Sequence, residues 1–514
     1  MTPPPLPASE PAPDVDRSGT KQAASASVQE HPVALSHDGQ SILFPKLPYD
    51  MHDRADHAIG DEQVQQFVNH ATLLKDDARK KLTAEVFGDR HDAIRTLAGE
   101  IKKHTLENLD YYVEQFVDNA TAAGVQVHFA EDAEEANGIC LDIAKREKLT
   151  ACVKSKSMVT EETHLLPELE KIGIETLETD LGEFILQLDH DAPSHIVTPM
   201  IHKDRKAVAR AFERELGVAY TEDPEELTRI AREYLREKYR KADLGISGGN
   251  FLVADTGSLV LCTNEGNATF CTTAPRVHVA FVGMEKLVPN YAGLTVLLKL
   301  LARHSTAQPL TVYTDIITGP KREADDDGPE QMHVILLNNG RTNILEDPDY
   351  RAALQCIRCG ACLNACPVYR KATGHSYGAV YSGPIGAVIT PLFKGLKNYK
   401  DLPNASSLCG ACYEACPVKI NLPEMLIKLR RDMIGGKITK WQERLSYKIF
   451  AAGLKSGTAY RLGGWMQTKM LRMMADKDGY VRSAPGPVRN WTRERDLPAP
   501  AAQNFRTWWR KRTP

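Results

Sequence analysis

The segment CIRCGACLNACPVYR, from Cys356 to Arg370, decides how the last third of this chain is built. Its cysteines follow the spacing C-x2-C-x2-C-x3-C-P, which holds a [4Fe–4S] cluster in bacterial-type ferredoxins. Three closely spaced thiolates can wrap one face of such a cluster, and the small Gly360 and Ala361 let the backbone approach it. Pro367 then prevents the chain from continuing as a regular helix. The segment therefore predicts an iron–sulfur site.

A weaker copy of this segment, SSLCGACYEACPVKI, runs from Ser406 to Ile420 and has three cysteines. Ser406 stands where the first copy has a cysteine. In two-cluster ferredoxins the fourth cysteine of a motif binds the cluster of the other motif. This rule predicts a complete set of four thiolates and a short set of three. The complete set is Cys356, Cys359, Cys362 and Cys416, and the short set is Cys366, Cys409 and Cys412.

The two sets predict different clusters. The complete set suits a [4Fe–4S] cluster. The short set suits either a [3Fe–4S] cluster or a [4Fe–4S] cluster whose fourth iron binds Ser406, water or a partner's group. Loss of a thiolate generally raises the reduction potential, as in Rieske centres. Zinc sites instead use four ligands in two pairs, so the spacing favours iron and sulfur. The remaining cysteines lie in apolar contexts and are expected to be core thiols: Cys140, Cys152, Cys262 and Cys271.

The long gap between Cys366 and Cys409 is unlike a compact small ferredoxin. It resembles the helical two-cluster module of the iron–sulfur subunits of succinate dehydrogenase and fumarate reductase, which also pair a full motif with a cysteine-poor one. We therefore expect residues 346–435 to form an all-α ferredoxin-type module.

Upstream of the cysteines, residues 46–345 predict an α/β domain. A helical period near 3.6 runs over residues 61–123. Strand-like apolar runs then alternate with helical segments. The predicted strands are VQVHFA, LTACVKS, GIETLET, VHVAFVGM, LTVYTDIIT and MHVILLNN, and GNFLVADTGSLVLCTN predicts a hairpin turning near Thr256-Gly257.

Several polar residues of this domain are candidates for a catalytic or binding site. Lys154 and Lys156 follow a predicted strand, and His195 and His202 lie close together in PSHIVTPMIHK. They could line one cleft, although surface charge and structurally satisfied histidines are simpler explanations for each. The Gly-rich turn at residues 248–250 could present backbone N–H groups to a carboxylate or phosphate, or could be only a turn.

Asp255 belongs to a D-T-G sequence between apolar runs, the signature of an aspartic protease strand. That chemistry needs two such aspartates sharing a proton, and the chain has no second D-T-G. A protease would have to be a homodimer, and helices with an iron–sulfur motif do not belong to such a fold. A tight turn in which Asp255 caps nearby amides is the better interpretation.

The 514-residue chain carries a net charge of −3 that hides an asymmetry. Residues 421–514 contain 20 Lys and Arg against 7 Asp and Glu, and they hold all five tryptophans. Most of this basic tail is expected to form a C-terminal domain over residues 436–514. The tail is a possible surface for docking a partner or a membrane, or else a solvated appendage. We expect no nucleic-acid partner.

The N-terminal residues 1–45 are rich in Pro, Ala and Ser and are expected to be disordered. They show neither a basic start nor an apolar core of a secretory signal. No apolar run is long enough to span a membrane. We therefore expect a cytoplasmic protein whose cysteines are ligands or free thiols rather than disulfides.

Four motifs in order carry a family resemblance: VKSKSMVTEE, ETDLGEFILQLDHDAPSHIVTPMIHK, GISGGNFLVADTGSLVLCTNEGN and the first cysteine motif. Together they closely resemble the lactate-utilization iron–sulfur proteins, the B component of a three-protein system. The resemblance implies a LUD domain, similar to ribose-phosphate isomerase and CoA-transferase folds, followed by a two-cluster module. It also implies a cytoplasmic subunit of a complex that oxidises L-lactate to pyruvate, with the other lactate-utilization subunits and an unidentified electron acceptor as partners.

Three functions stay open from the sequence. The first is an electron-transfer subunit, which the resemblance favours. The second is a self-sufficient oxidoreductase that uses the α/β cleft, although no Rossmann or flavin fingerprint is visible. The third is a regulatory or scaffold protein whose clusters sense oxygen or iron. Residue chemistry alone does not separate them.

Overall fold

The α/β region is built on a parallel sheet. The computed structural model describes residues 34–486, 489–493 and 495–512. Its first ten strands are β1 (Gln126–Ala130), β2 (Ala151–Lys154), β3 (Glu175–Glu178), β4 (Leu244–Ser247), β5 (Phe251–Val253), β6 (Ser258–Thr263), β7 (Val277–Gly283), β8 (Leu287–Val288), β9 (Tyr313–Ile317) and β10 (Gln331–Leu337). Six of these form the parallel sheet in the order β1-β10-β7-β4-β2-β3. The apolar runs predicted to be strands are confirmed.

The strand order reverses between β2 and β4. From β2 the chain adds β3 on one side and then returns to place β4 on the other, followed outward by β7, β10 and β1. In open α/β sheets, ligands bind outside the carboxyl ends of the strands at such a switch point. The fold therefore marks the segments that follow β2, β4 and β7 as the place to look for a site.

Helices cover both faces of the sheet and precede it. They are α1 (His52–Gly60), α2 (Glu62–Phe87), α3 (His91–Glu107), α4 (Leu109–Ala122), α5 (Ala133–Arg146), α6 (Met158–Thr163), α7 (Leu165–Lys171), α8 (Leu181–Leu188), α9 (Arg205–Leu216), α10 (Pro224–Lys241), α11 (Asn267–Thr273), α12 (Tyr291–Ser305) and α13 (Arg341–Glu346). Aspartates cap several of them, as Asp180 does by accepting from the backbone N–H of Glu183. The helical pattern predicted over residues 61–123 is confirmed.

A second sheet carries the predicted hairpin. Its order is β8-β5-β6-β9, and β5 and β6 pair antiparallel across the D-T-G turn. Gly257 has φ +65°, and a Cβ on it would lie 2.3 Å from the backbone N of Ala120. The turn thus needs glycine both for its conformation and for its packing on α4. Asp255 is exposed at this turn.

The cysteine segment contains helices α14 (Ala361–Ala365), α15 (Pro367–Ala372), α16 (Gly383–Lys394), α17 (Ala411–Ala415) and α18 (Leu422–Gly435). Short 3₁₀ helices, such as Arg351–Gln355 and Leu402–Asn404, connect them. One hydrophobic core joins this segment to α2, α3 and the β5–β6 hairpin, through residues such as Val68, Ala98 and Val260. The cysteine loops are therefore packed directly on the α/β region.

The chain divides into two compact units after Leu429. The second unit contains α19 (Trp441–Lys455), α20 (Gly457–Met474), β11 (Tyr480–Val481), α21 (Arg489–Thr492), β12 (Leu497–Pro498) and α22 (Phe505–Arg512). Its small core includes Leu471 and Val481, whereas Trp441, Phe450 and Trp465 are exposed. Within the described residues, no helix has the length and apolar character needed to cross a membrane.

The predicted disordered segment lies mostly outside the described residues, which begin at residue 34. Residues 34–45 form a turn in which Leu35 bridges to Ser41. Arg54 holds this turn, because its guanidinium donates to the carbonyl of Ile42 at 3.1 Å. Ile42 itself is buried.

Candidate iron–sulfur site and the adjoining cavity

The two cysteine motifs fold alike. Each has a non-glycine residue in the left-handed region just before its C-G-A-C sequence begins, Arg358 (φ 59°) in the first and Leu408 (φ 54°) in the second. Gly360 and Gly410 are also left-handed, and each directly precedes a five-residue helix, α14 or α17. The weak sequence repeat is therefore a structural repeat, in which Ser406 takes the place of Cys356.

The predicted complete set of cysteines surrounds a single small cavity. Cys356, Cys359, Cys362 and Cys416 all line it. The other lining side chains are apolar, among them Ile196, Ile357, Ile385, Val418 and Ile420. Cys416 reaches this cavity from the second motif, as the crossing rule predicts. Four sulfur donors in an apolar enclosure fit an iron–sulfur cluster by donor chemistry.

The predicted short set also lies together. Burial, and then the neighbouring Cys366 and Cys409, raise the pKa of the Cys412 thiol to about 12. Cys409 is exposed, and a backbone N–H hydrogen bond from Ala411 lowers the pKa of its thiol. Ser406 is half-buried, and its Oγ accepts from the backbone N–H of Leu408 at 3.1 Å. The short site is thus the more solvent-accessible of the two.

Backbone N–H groups also donate to sulfur atoms of both motifs other than that of Cys409. Arg358 donates to Cys356, Tyr369 to Cys366 and Ile420 to Cys416, each at 3.4 Å. Such bonds favour the thiolate and tune the potential of a bound cluster. Burial raises the pKa of Cys416 to about 11, so metal binding there must release a proton.

Side chains of the first unit anchor both cysteine loops. Arg95 in α3 donates to the carbonyls of Cys416 and Tyr413, both at 2.9 Å. His195 lies 3.2 Å from the side-chain oxygen of Asn364 in α14. Burial, followed by nearby lysines, lowers the pKa of His195 well below its usual value. His195 is therefore neutral, with Nδ1 accepting from the backbone N–H of Val197 and Nε2–H donating to Asn364.

A cavity of about 360 Å³ opens at the carboxyl ends of β2, β4 and β7. We call it the switch-point cavity, and Lys156, Asn250, Lys286, Arg358 and Tyr381 are among its lining residues. Its position agrees with the rule for doubly wound sheets. Because Arg358 sits between Cys356 and Cys359, this cavity adjoins the first cysteine loop.

Glycines make room for the cavity wall. A Cβ on Gly248 would lie 2.7 Å from Oγ of Ser157, and one on Gly249 would lie 2.9 Å from Leu259. The amide oxygen of Asn250 accepts from the backbone N–H of Cys262 and so ties the wall to β6. The Gly-rich turn singled out by sequence therefore lines a cavity, next to Lys156.

A buried charge network lies behind this cavity. Arg341 pairs with Glu162 at 2.9 Å and with Glu285 at 2.6 Å. Burial opposes ionisation of Glu285, but Arg341 and Arg358 outweigh it and lower its pKa to about 2. Burial, together with Arg358, lowers the pKa of Lys286 to about 8. The cavity is thus bordered by Lys286 and Arg358 on this network, and elsewhere by the carboxyl groups of Asp180 and Glu265, whose pKa values burial raises.

The structure separates the polar residues that sequence grouped together. Lys156 lines the switch-point cavity, and His195 lines a smaller one that also includes Lys156. Lys154 is fully buried away from the cavity, with its ammonium 2.6 Å from Glu178. His202 is bound to Asp191 at 2.9 Å and does not line the cavity. Asp255 lies on the exposed turn.

Sequence reasoning missed Lys286, Glu285 and Arg358. The pair Glu285-Lys286 directly follows the apolar run VHVAFVGM, and that position should have marked it under the rule for strand carboxyl ends. Arg358 differs from Leu408 at the matching position of the repeat. The available signal was that a charged residue in the first motif replaces an apolar one in the second, at a position next to the shared C-G-A-C sequence.

Replacing Lys154 with methionine should destabilise the fold by about 3–5 kcal/mol, because it leaves buried carboxylates without their cation. Its ammonium contacts Glu178, Glu161 and Glu183 within 3.6 Å. Chemical denaturation measures the loss. Lys171→Met, which breaks an exposed pair with Glu168, is the matched control and should change stability little. Equal effects of the two changes would contradict this role for Lys154.

Three family profiles match the chain in order. The LUD domain matches residues 113–337, the 4Fe-4S dicluster domain matches residues 352–420, and the C-terminal domain of lactate utilisation protein B matches residues 432–513. Lactate utilization protein B of Shouchella clausii is 49% identical over 419 residues, covering 81% of this chain and 88% of that protein. The chain belongs to the lactate utilization protein B family. The predicted LUD domain and 4Fe–4S ferredoxin-type domain are confirmed.

Other members of this family are equally similar. The Geobacillus kaustophilus protein is 48% identical and the Bacillus subtilis protein 47% identical, each over 421 residues. These alignments cover 81% of this chain and 88% and 87% of the relatives. A solved DUF162 family protein from Deinococcus radiodurans aligns with a TM-score of 0.26 and 14% identity, over 45% of this chain and 98% of that one.

Proposed function

We propose that this chain is the iron–sulfur electron-transfer subunit of a complex that oxidises L-lactate to pyruvate. The observation that carries the proposal is the convergence of Cys356, Cys359, Cys362 and Cys416 on one apolar cavity, with a three-cysteine site beside it. Its relatives are named lactate utilization protein B, which supports lactate as the substrate of that complex. Its partners would be the other lactate-utilization subunits and an electron acceptor.

In this proposal, Cys356, Cys359, Cys362 and Cys416 hold one cluster, and Cys366, Cys409 and Cys412 hold the other. Clusters bound there supply one-electron carriers. The chain's own groups keep the first site dry and donate N–H bonds to its sulfurs. Exposed Cys409, beside the partly exposed Tyr413, offers the end at which a redox partner can approach.

The test is reduction of the clusters by lactate. The anaerobic chain is mixed with its partner subunits and L-lactate, and its visible and EPR spectra are followed. We expect reduction only in the mixture, because no organic redox cofactor motif is visible in this chain. The proposal would be refuted if D-lactate reduced the clusters and L-lactate did not. It would also be refuted if the complex oxidised L-lactate without any reduction of the clusters. Reduction of the isolated chain by L-lactate would favour the self-sufficient oxidoreductase, the candidate that the switch-point cavity supports.

The finer points of architecture and location belong to the same proposal. We assign an all-α two-cluster module to residues 346–435, a LUD domain similar to ribose-phosphate isomerase to residues 46–345, and a cytoplasmic location. We also propose that Trp441 and Trp465, both exposed, help to dock a partner subunit. Gel filtration of a variant with serine at both positions tests that contact, and vesicle flotation tests the membrane alternative.

A further inference from the structure

The switch-point cavity holds an arginine whose donors are unused. Both terminal nitrogens of Arg358 are buried and have no hydrogen-bond partner among the described residues. The nearest carboxylate oxygen, on Glu285, is 3.5 Å from one of them and forms only a loose ion pair. The guanidinium stacks 4.6 Å over the ring of Tyr381, which fixes its plane. Unmade bonds of a buried guanidinium are costly, so this arrangement needs an acceptor.

Lys286 adds a second cation to the same wall. It is 7% exposed, and among the residues described it forms no salt bridge within 4.0 Å. Two buried carboxylates lie nearby. Glu162 accepts from Arg341 and Tyr381, and Glu285 accepts from Arg341 through Oε2 only. Oε1 of Glu285 has no hydrogen-bond partner among the described residues and lies 3.5 Å from Arg358.

Around Arg358 and Lys286 there are three cations, counting Arg341, against the two carboxylates Glu162 and Glu285. Asp180 and Glu265 also line the cavity, and burial raises the pKa of both carboxyl groups, that of Glu265 to about 7. The positive charge therefore exceeds the negative charge on the Arg358 side. Such an excess favours an anion in the cavity over a cation or a neutral ligand.

The geometry of the Arg358 guanidinium indicates which class of anion the cavity would bind. Two parallel N–H donors at the tip of a guanidinium match the two oxygens of a carboxylate. Apolar side chains, including Leu261 and Leu301, line another part of the cavity and suit the carbon skeleton of an organic acid. A volume of about 360 Å³ accommodates such a molecule with water.

We propose that the switch-point cavity is a binding site for a small organic carboxylate, held by Arg358 and Lys286 beside the first cysteine loop. Lys156 and the turn at residues 248–250 line the same cavity. This site rests on the proposed function in one respect only, the identity of the acid, which we take to be a short 2-hydroxy or 2-oxo monocarboxylate. We assign binding, and no redox step, to these residues.

The structure ties this site to the first cysteine set. The backbone N–H of Arg358 donates to Cys356 while its side chain lines the cavity. A carboxylate on the guanidinium would therefore alter the charge close to that sulfur. Ligand binding should then shift the EPR spectrum of the first cluster but not that of the second.

Equilibrium dialysis of the anaerobic full-length chain against radiolabelled pyruvate and L-lactate tests the site. We expect saturable binding at one site per chain and no competition from the neutral analogue L-lactamide. Arg358→Lys keeps the positive charge but loses the two parallel N–H donors of the guanidinium. Lys286→Met removes the second cation. Each should weaken binding by about tenfold or more. Lys397→Met, an exposed lysine outside the cavity, is the control and should bind as the native chain does.

Iron content and EPR of every variant show whether its clusters are intact. Lys286→Met lies outside the cysteine motifs, so it tests the site even if Arg358→Lys loses iron. The proposal fails if neither acid binds saturably, if L-lactamide binds equally, or if Lys286→Met shifts the cluster spectrum without weakening binding. That last result would mean that Arg358 and Lys286 balance the negative charge of the first cluster and do not bind a carboxylate.

The same samples keep this inference separate from the proposed function. If the assembled complex reduces the clusters with lactate but the chain binds neither acid, the site is refuted and the function stands. If the chain binds pyruvate through Lys286 but lactate never reduces the clusters in the complex, the function fails and the site stands.

Discussion

Replacing Cys416 with alanine should remove the first cluster, although Cys416 belongs to the second motif. Its sulfur lines the same apolar cavity as Cys356, Cys359 and Cys362. Losing one of four thiolates in a buried site leaves an iron without a ligand. We expect iron content to fall by about half and lactate-dependent reduction in the complex to fall by about 100-fold or more.

The reciprocal change is Cys366→Ala, which should remove the second cluster and spare the first. Cys140→Ala, a fully buried cysteine outside both motifs, is the control and should retain all iron. EPR distinguishes the two centres in each variant. If Cys416→Ala removed the same centre as Cys409→Ala, each motif would hold its own cluster, and the crossed assignment would be wrong.

Replacing Ser406 with cysteine should complete the short site. The two loops place Ser406 and Cys356 at matching positions, each two residues before a left-handed residue. A fourth thiolate favours a [4Fe–4S] cluster and stabilises its oxidised state. We expect the potential of the second centre to fall by on the order of 100 mV or more, with up to about one iron gained per chain.

Ser407→Cys is the matched control for this change. Ser407 is the exposed neighbour of Ser406 and stands one position out of register. Redox titration followed by EPR, with iron counted on the same samples, compares the two variants. Equal potentials in Ser406→Cys and the native chain, or equal shifts in both variants, would rule out the register argument.

Local patterns were enough to predict most elements of the α/β region. Strands such as β7 and β10 are continuous apolar runs because both faces of a parallel sheet are covered. The hairpin at Gly257 could be predicted because a left-handed turn residue lies between two apolar runs. The order of the strands could not, since it depends on packing between segments far apart in sequence.

The cysteine sites were predictable for a different reason. Ligand spacing within a motif is a local property, and the crossing rule supplies the one distant ligand. The switch-point cavity lacks any such local code. Lys286 and Arg358 are 72 positions apart, and packing of the cysteine segment on the α/β region brings them to one cavity. Lys154 shows the converse, because a lysine two residues from the cavity-lining Lys156 points into a buried cluster of glutamates.

The most direct test of the central claim is EPR of the anaerobically purified chain, as isolated and after dithionite, with iron and sulfide counted on the same sample. The account predicts two centres and about seven to eight irons per chain, one of them a reducible [4Fe–4S] cluster. An oxidised three-iron signal would identify the short site as [3Fe–4S], whereas two reduced [4Fe–4S] signals would mean a non-cysteine fourth ligand. A single centre, or zinc in place of iron and sulfide, would contradict the account.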